Sequence, residues 1–219
     1  MKARIAVMCG ALTLLAGAPL SAQGHGAHGS GPLHLTLADG WHARLDRAAD
    51  AGPEFTTMPP GWHVTSGPAA ILYDPATTAR GNYRVASKIF LFDPGERREG
   101  FGIFIGGQDL EGAAQSYTYF LLRRDGRFLI KQRDGEETRV VQDWTASPAV
   151  KSWENRGADE VTAENDLAVE VRADEVVFSV NGQEVARLPR SSVDTEGVVG
   201  LRVNHGLNLH VASLDVTAQ

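Results

Sequence analysis

The sequence predicts an all-β fold of two antiparallel sheets packed face to face. Short apolar runs separated by turn residues extend almost to the C-terminus, and no stretch of twelve or more residues carries a clear helical stripe. Asp125-Gly126, Asp134-Gly135 and Asn181-Gly182 interrupt these runs where a tight turn is wanted, and such pairs take up the positive φ values of type I′ hairpins. About a dozen strands exceed what one open sheet carries comfortably, which makes a sandwich the economical arrangement.

The chain opens with Lys2 and Arg4, an apolar stretch from Ile5 to Ala16, and small residues at Ser21-Ala22 before Gln23. This is the pattern of a signal peptide over residues 1–22, cut between Ala22 and Gln23. The single cysteine, Cys9, lies inside the apolar core and not at the cut, so a lipoprotein is not indicated. A periplasmic or secreted product is expected. Residues 23–219 then hold 19 Lys+Arg against 27 Asp+Glu, a formal charge of −8, and no cysteine. Stability must come from one packed core, because no disulfide can form. An acidic chain without a basic run argues against nucleic acid as a partner. No later segment approaches the ~20 apolar residues of a membrane span.

Residues 23–32, rich in glycine and without apolar periodicity, read as a flexible leader, and residues 33–219 as a single domain. Leu33, Leu35 and Leu37 alternate with polar neighbours, the period of a half-buried strand. Further strands are expected at 62–64, 69–73, 83–92, 100–106, 116–123, 127–132, 138–144, 167–172, 176–180, 185–188, 198–203 and 207–216. Residues 43–51 and 148–154 could each form a helical turn. Two segments, 48–61 and 146–165, have low periodicity and read as long loops, where function often sits.

The order Leu167-Ala168-Val169-Glu170-Val171, then Val176-Val177-Phe178-Ser179-Val180-Asn181-Gly182, then Gly197-Val198-Val199-Gly200-Leu201-Arg202-Val203 resembles the C-terminal half of the concanavalin A-like lectin/glucanase superfamily. That superfamily includes laminin-G-like modules and a bacterial 3-keto-disaccharide hydrolase-like domain, whose opening strands are similar to Gly61-Trp62-His63-Val64 and Gly81-Asn82-Tyr83-Arg84-Val85. The resemblance implies a concanavalin A-like jelly roll over roughly residues 60 to 217. It does not choose among lectins, adhesion modules and glycosidases.

Glycosidases of this architecture carry carboxylates on one strand as Glu-x-Asp-x-Glu or Glu-x-Asp-x-x-Glu, and neither pattern occurs. A Gly-x-Ser-x-Gly elbow and a phosphate-binding Gly-x-x-x-x-Gly-Lys loop are absent too. His25, His28 and His34 read as a chance cluster in a tail more than as a zinc or copper site. No cofactor is expected. The exception, implied by the laminin-G-like resemblance, is calcium at Asp93, Glu96 and Asp109, although no dense ligand loop accompanies them.

Sugar binding needs aromatic faces for the C–H surface of a pyranose and planar polar groups for its hydroxyls. Tyr117 and Tyr119 share one face of a strand that Arg123 continues; Trp62, His63, Trp144 and His205 supply further aromatic and polar candidates. The sequence therefore reads as an exported, non-catalytic domain that binds carbohydrate. The alternatives are a sugar-directed hydrolase or lyase of the 3-keto-glycoside type and an envelope protein–protein interaction module.

Overall fold

A computed structural model describes residues 33–219. The signal peptide, the leader and two of the histidines above lie outside the described residues. Fifteen strands follow in chain order: β1 (His34–Thr36), β2 (His42–Leu45), β3 (Glu54–Thr57), β4 (Trp62–Thr65), β5 (Ala70–Ala79), β6 (Tyr83–Leu91), β7 (Gly100–Gln108), β8 (Ser116–Arg123), β9 (Arg127–Asp134), β10 (Glu137–Ala146), β11 (Ala163–Val171), β12 (Glu175–Val180), β13 (Gln183–Pro189), β14 (Gly197–Val203) and β15 (Asn208–Ala218). Every pairing is antiparallel. They form an eight-stranded sheet, β1-β2-β5-β14-β7-β8-β9-β10, and a seven-stranded sheet, β13-β12-β11-β6-β15-β4-β3. The fold is a two-sheet antiparallel β-sandwich, as the alternation and the turns predict.

Between the sheets lies the main core, with Leu72, Ile103, Phe120 and Leu201 from one sheet meeting Ile89, Val169, Phe178 and Leu209 from the other. The eight-stranded sheet also buries a second apolar cluster built on Ile71, Tyr73, Phe104, Tyr117, Tyr119, Leu121 and Leu129. Within each of β5, β7 and β8, adjacent residues fall in different clusters (Ile71 and Leu72, Ile103 and Phe104, Tyr119 and Phe120), so this sheet is covered on both faces. That explains why β7 and β8 read as nearly continuous apolar runs and not as clean alternation.

Four local expectations are corrected. Residues 43–51 begin in a strand, because Ala43 and Leu45 enter the core while His42 and Arg44 take the other side of β2. The 48–61 segment contains β3, whose Phe55 packs on Trp41 and Trp62. Residues 148–154 form turns but no helix. Only Asn181-Gly182 has both residues at positive φ (49° and 77°), the type I′ condition; at Asp125-Gly126 and Asp134-Gly135 only the glycine does. In those two hairpins the loop residues fall differently about the glycine, and Gly126 N–H closes a three-residue loop onto Arg123 O.

Two asparagines help to tie down the long 146–165 segment. Asn165, 1% exposed, accepts from Lys151 N–H (2.8 Å) and donates to Lys151 O (3.0 Å), while Asn181 Nδ2 donates to both Asn165 Oδ1 (3.0 Å) and Ala149 O (2.8 Å). Ala149 and Val150 thereby enter the main core. This loop closes one end of the sandwich.

Candidate functional site

The second face of the eight-stranded sheet concentrates chemistry. β8 alternates, sending Phe120 and Leu122 to the main core and Tyr117, Tyr119 and Leu121 to the outer cluster. Register then dictates the neighbours. On β9, Arg133 stands opposite Tyr117 and Lys131 opposite Tyr119; on β7, Phe104 stands opposite Tyr119. Phe104 and Tyr117 lie 5.3 Å apart between ring centroids, Tyr117 and Tyr119 5.7 Å, and Tyr73 and Phe104 6.4 Å, giving a continuous aromatic floor. Gly200 sits between Tyr73 and Phe104 in register; a Cβ there would come within 2.4 Å of Leu72 O and 2.5 Å of the Phe104 ring, so only glycine fits.

Charged groups stand on this floor. Arg202, 7% exposed, donates from Nη1 and Nη2 to the two carboxylate oxygens of Asp46 (2.6 and 2.5 Å), and its guanidinium carbon lies 5.7 Å from the Tyr119 ring centre. Burial alone would raise the Asp46 pKa, but the Arg202 hydrogen bonds and charge outweigh it and hold the carboxyl below its ordinary value. Arg44, also buried, donates from Nη1 to Leu110 O and Gly112 O (both 2.8 Å), which fastens the β7–β8 loop over the floor. Burial, foremost, raises the tyrosines, with Tyr73 and Tyr119 each pushed up to about 12 and Tyr117 upward as well. All remain neutral hydrogen-bonding groups at physiological pH.

Two depressions open here and share Asp46 and Arg133. One, of about 440 Å³, is lined by Tyr117, Tyr119, Lys131, Trp144, Arg202, Asn204 and His205 among others. The other, of about 680 Å³, is lined by His34, Arg44, Arg47, Glu111, Gln115 and Glu136 among others. Arg202 Nε, Asn204 Oδ1 and His34 Nδ1 are buried there without a hydrogen-bond partner among the described residues. Unsatisfied groups of this kind cost stability unless something else meets them.

Of the residues singled out from the sequence, the structure brings Tyr117, Tyr119, Trp144 and His205 to the 440 Å³ depression. Tyr117 is 2% exposed and belongs to the floor, not the rim. Arg123 does not line either depression: its Nε and Nη2 bind Asp125 (2.8 and 2.7 Å), and its guanidinium carbon stacks 4.5 Å from the Trp144 ring centre. Trp62 and His63 lie on the seven-stranded sheet. Trp62 packs 4.8 Å from Trp41 against the main core, and His63 sits with Phe92 and His210. Neither joins the group.

Sequence reasoning missed Asp46, Arg202, Asn204, Lys131, Arg133 and Arg44. A signal existed for two of them, because counting back from the Asp125-Gly126 turn sets Lys131 and Arg133 opposite the two tyrosines. Arg202 interrupts an apolar strand, which marks it as either buried and paired or outward-facing. Asp46 had no local signal at all.

Among the described residues, no group of three or more His, Cys, Asp or Glu side chains is placed to hold a metal ion. Asp93 accepts from Gly95 N–H and Asp109 from Ala114 N–H, so each caps its own turn. No helix among the described residues is long and apolar enough to cross a membrane.

No family model and no curated protein sequence matches the chain. Solved structures do. The carbohydrate binding module CBM66 from Bacillus subtilis superposes with a TM-score of 0.59 at 12% identity, over 82% of this chain and 96% of that one. A Bacillus subtilis protein of unknown function with a galectin-like fold gives 0.58 at 14% identity, over 81% and 88%. The protein GH43B of the Bacteroides ovatus xyloglucan PUL gives 0.52 at 12% identity, covering 89% of this chain but 41% of that one. These likenesses establish the fold.

Proposed function

We propose that this protein is an exported, non-catalytic domain that binds a saccharide on the outer face of its eight-stranded sheet. The observation that carries the reading is a hollow on that face where a buried aromatic floor meets the bidentate Arg202–Asp46 pair. A sugar ring presents C–H patches and hydroxyls that each donate and accept, and it demands apolar and planar polar surface side by side. The two depressions provide both, and Trp144, Asn204 and His205 stand at the rim with side chains half-buried or exposed. The sandwich likeness to a carbohydrate binding module supports the same reading at the level of fold. Export rests on residues 1–22, and the product would work in the periplasm or outside the cell.

The test is the thermal unfolding midpoint of the purified protein against a panel of oligosaccharides, since a ligand held only by the native state must raise it. A concentration-dependent rise with one sugar class is expected. Trp144→Ala, which leaves the tyrosine floor in place, should weaken that response by about tenfold in affinity. A flat response across the panel, or full affinity in folded Trp144→Ala, contradicts the reading.

A further inference from the structure

We propose that the saccharide taken by this face carries a carboxylate, as a uronic acid does; the inference rests on the binding reading above and names its ligand class. The full chain has a formal charge of −6, yet this face holds four cations with no carboxylate partner among the described residues: Arg44, Arg47, Lys131 and Arg133. Lys131 and Arg133 are half-buried and stand directly across from Tyr119 and Tyr117. They therefore flank the aromatic floor along its β9 side.

Arg133 is also held in place. Its Nε donates to Gly135 O at 2.6 Å, and neither Nη has a protein acceptor among the described residues. A guanidinium anchored by one nitrogen with its remaining donors free is prepared for a planar, two-oxygen acceptor. Arg44 spends only Nη1, on the two loop carbonyls.

The acidic groups of this face must be set against these cations. Asp46 is engaged by Arg202, Glu111 accepts from or pairs with His42 Nδ1 at 3.0 Å, and Glu99 lies 3.8 Å from His205. Glu136 is exposed on the β9–β10 turn. Three of the four carboxylates thus have a nearby basic group of their own, while four cations have no carboxylate. Arg133 bridges the two depressions, and a carboxylate lodged beside it would lie between them. A neutral sugar would leave these donors to water.

The experiment is calorimetric titration of the purified protein with oligogalacturonates and, in parallel, with the same oligomers after reduction of their carboxyl groups to neutral galactose units. The carboxylate form should bind at least about tenfold more tightly in low salt and lose that advantage as sodium chloride is raised. Arg133→Gln and Lys131→Gln should each erase most of the preference while keeping the unliganded unfolding midpoint. Arg133→Lys, which keeps charge but loses the fork, should fall in between. Equal affinity for the two oligomers, unmoved by salt or by these variants, overturns the inference and leaves saccharide binding standing. Binding of the neutral form alone does the same. Failure of both forms and of every other saccharide overturns the binding reading together with it.

Discussion

Arg202 in β14 and Asp46, the residue directly after β2, are 156 positions apart in sequence, yet they meet through two parallel hydrogen bonds of 2.6 and 2.5 Å. The pair stitches strands across the eight-stranded sheet and sets a planar polar edge above Tyr119. The Asp46 side chain is about one-third exposed, whereas that of Arg202 is almost fully covered.

Removing the carboxylate charge should therefore strand a buried cation. Asp46→Asn is expected to cost about 3 kcal/mol of stability, toward the low end for a broken buried pair because Asp46 retains some solvent. Chemical denaturation measures it. The pH dependence has a fixed sign: the Asp46 pKa is lower in the fold than in the unfolded chain, so its contribution is present above the unfolded value near ~4 and drains away as pH falls below it. The unfolding midpoint of the natural protein should drop more steeply below about pH 4 than that of Asp46→Asn.

The alkaline limb is set by tyrosines. All four, Tyr73, Tyr83, Tyr117 and Tyr119, are buried, and burial raises the pKa of each. A phenol raised in the fold contributes stability that is full below its unfolded value of about 10 and is lost as pH climbs toward the folded value. Phenolate absorbance should stay near zero at pH 10 and appear with unfolding at higher pH. A tyrosine titrating freely near pH 10 in the folded protein would contradict the packing described.

Floor and rim should separate cleanly on mutation. Tyr117→Ala removes a fully buried ring touching Phe104 and Tyr119, and should cost about 3–5 kcal/mol in denaturant unfolding. Trp144→Ala should cost far less stability, since that ring is half-buried, while reducing ligand affinity.

Asn165→Ala provides the opposite contrast. It leaves Lys151 N–H and O without their side-chain partner inside the sandwich end, at about 2–4 kcal/mol for the two orphaned groups. Ligand affinity measured on the folded fraction should be unchanged, because Asn165 is absent from both depressions.

The fold was legible because hydrophobic period and turn chemistry are local properties. Leu209 and Val211 alternate with His210, and Asn181-Gly182 takes the hairpin geometry its residues favour. The β2 and β3 strands were not read from the sequence, and their register comes from pairing with β5 and β4. Of the candidate site, the Tyr117–Tyr119 face could be read from alternation alone. The identity of the sheet that faces it could not, and this is why Trp62 and His63 were grouped with residues of the other sheet. Asp46 and Arg202 become a pair only through tertiary packing, and no spacing in the chain announces them.

The most direct test of the account is a nuclear magnetic resonance titration of the assigned protein with an oligosaccharide that raises its unfolding midpoint. The account predicts that the shifted amides and side chains cluster on the outer face of the eight-stranded sheet, at Tyr119, Lys131, Arg133, Trp144, Asn204 and His205, with the seven-stranded sheet silent. Shifts gathered around His63, Phe90 and His210 on the opposite sheet, with the Tyr119 face unmoved, would contradict it.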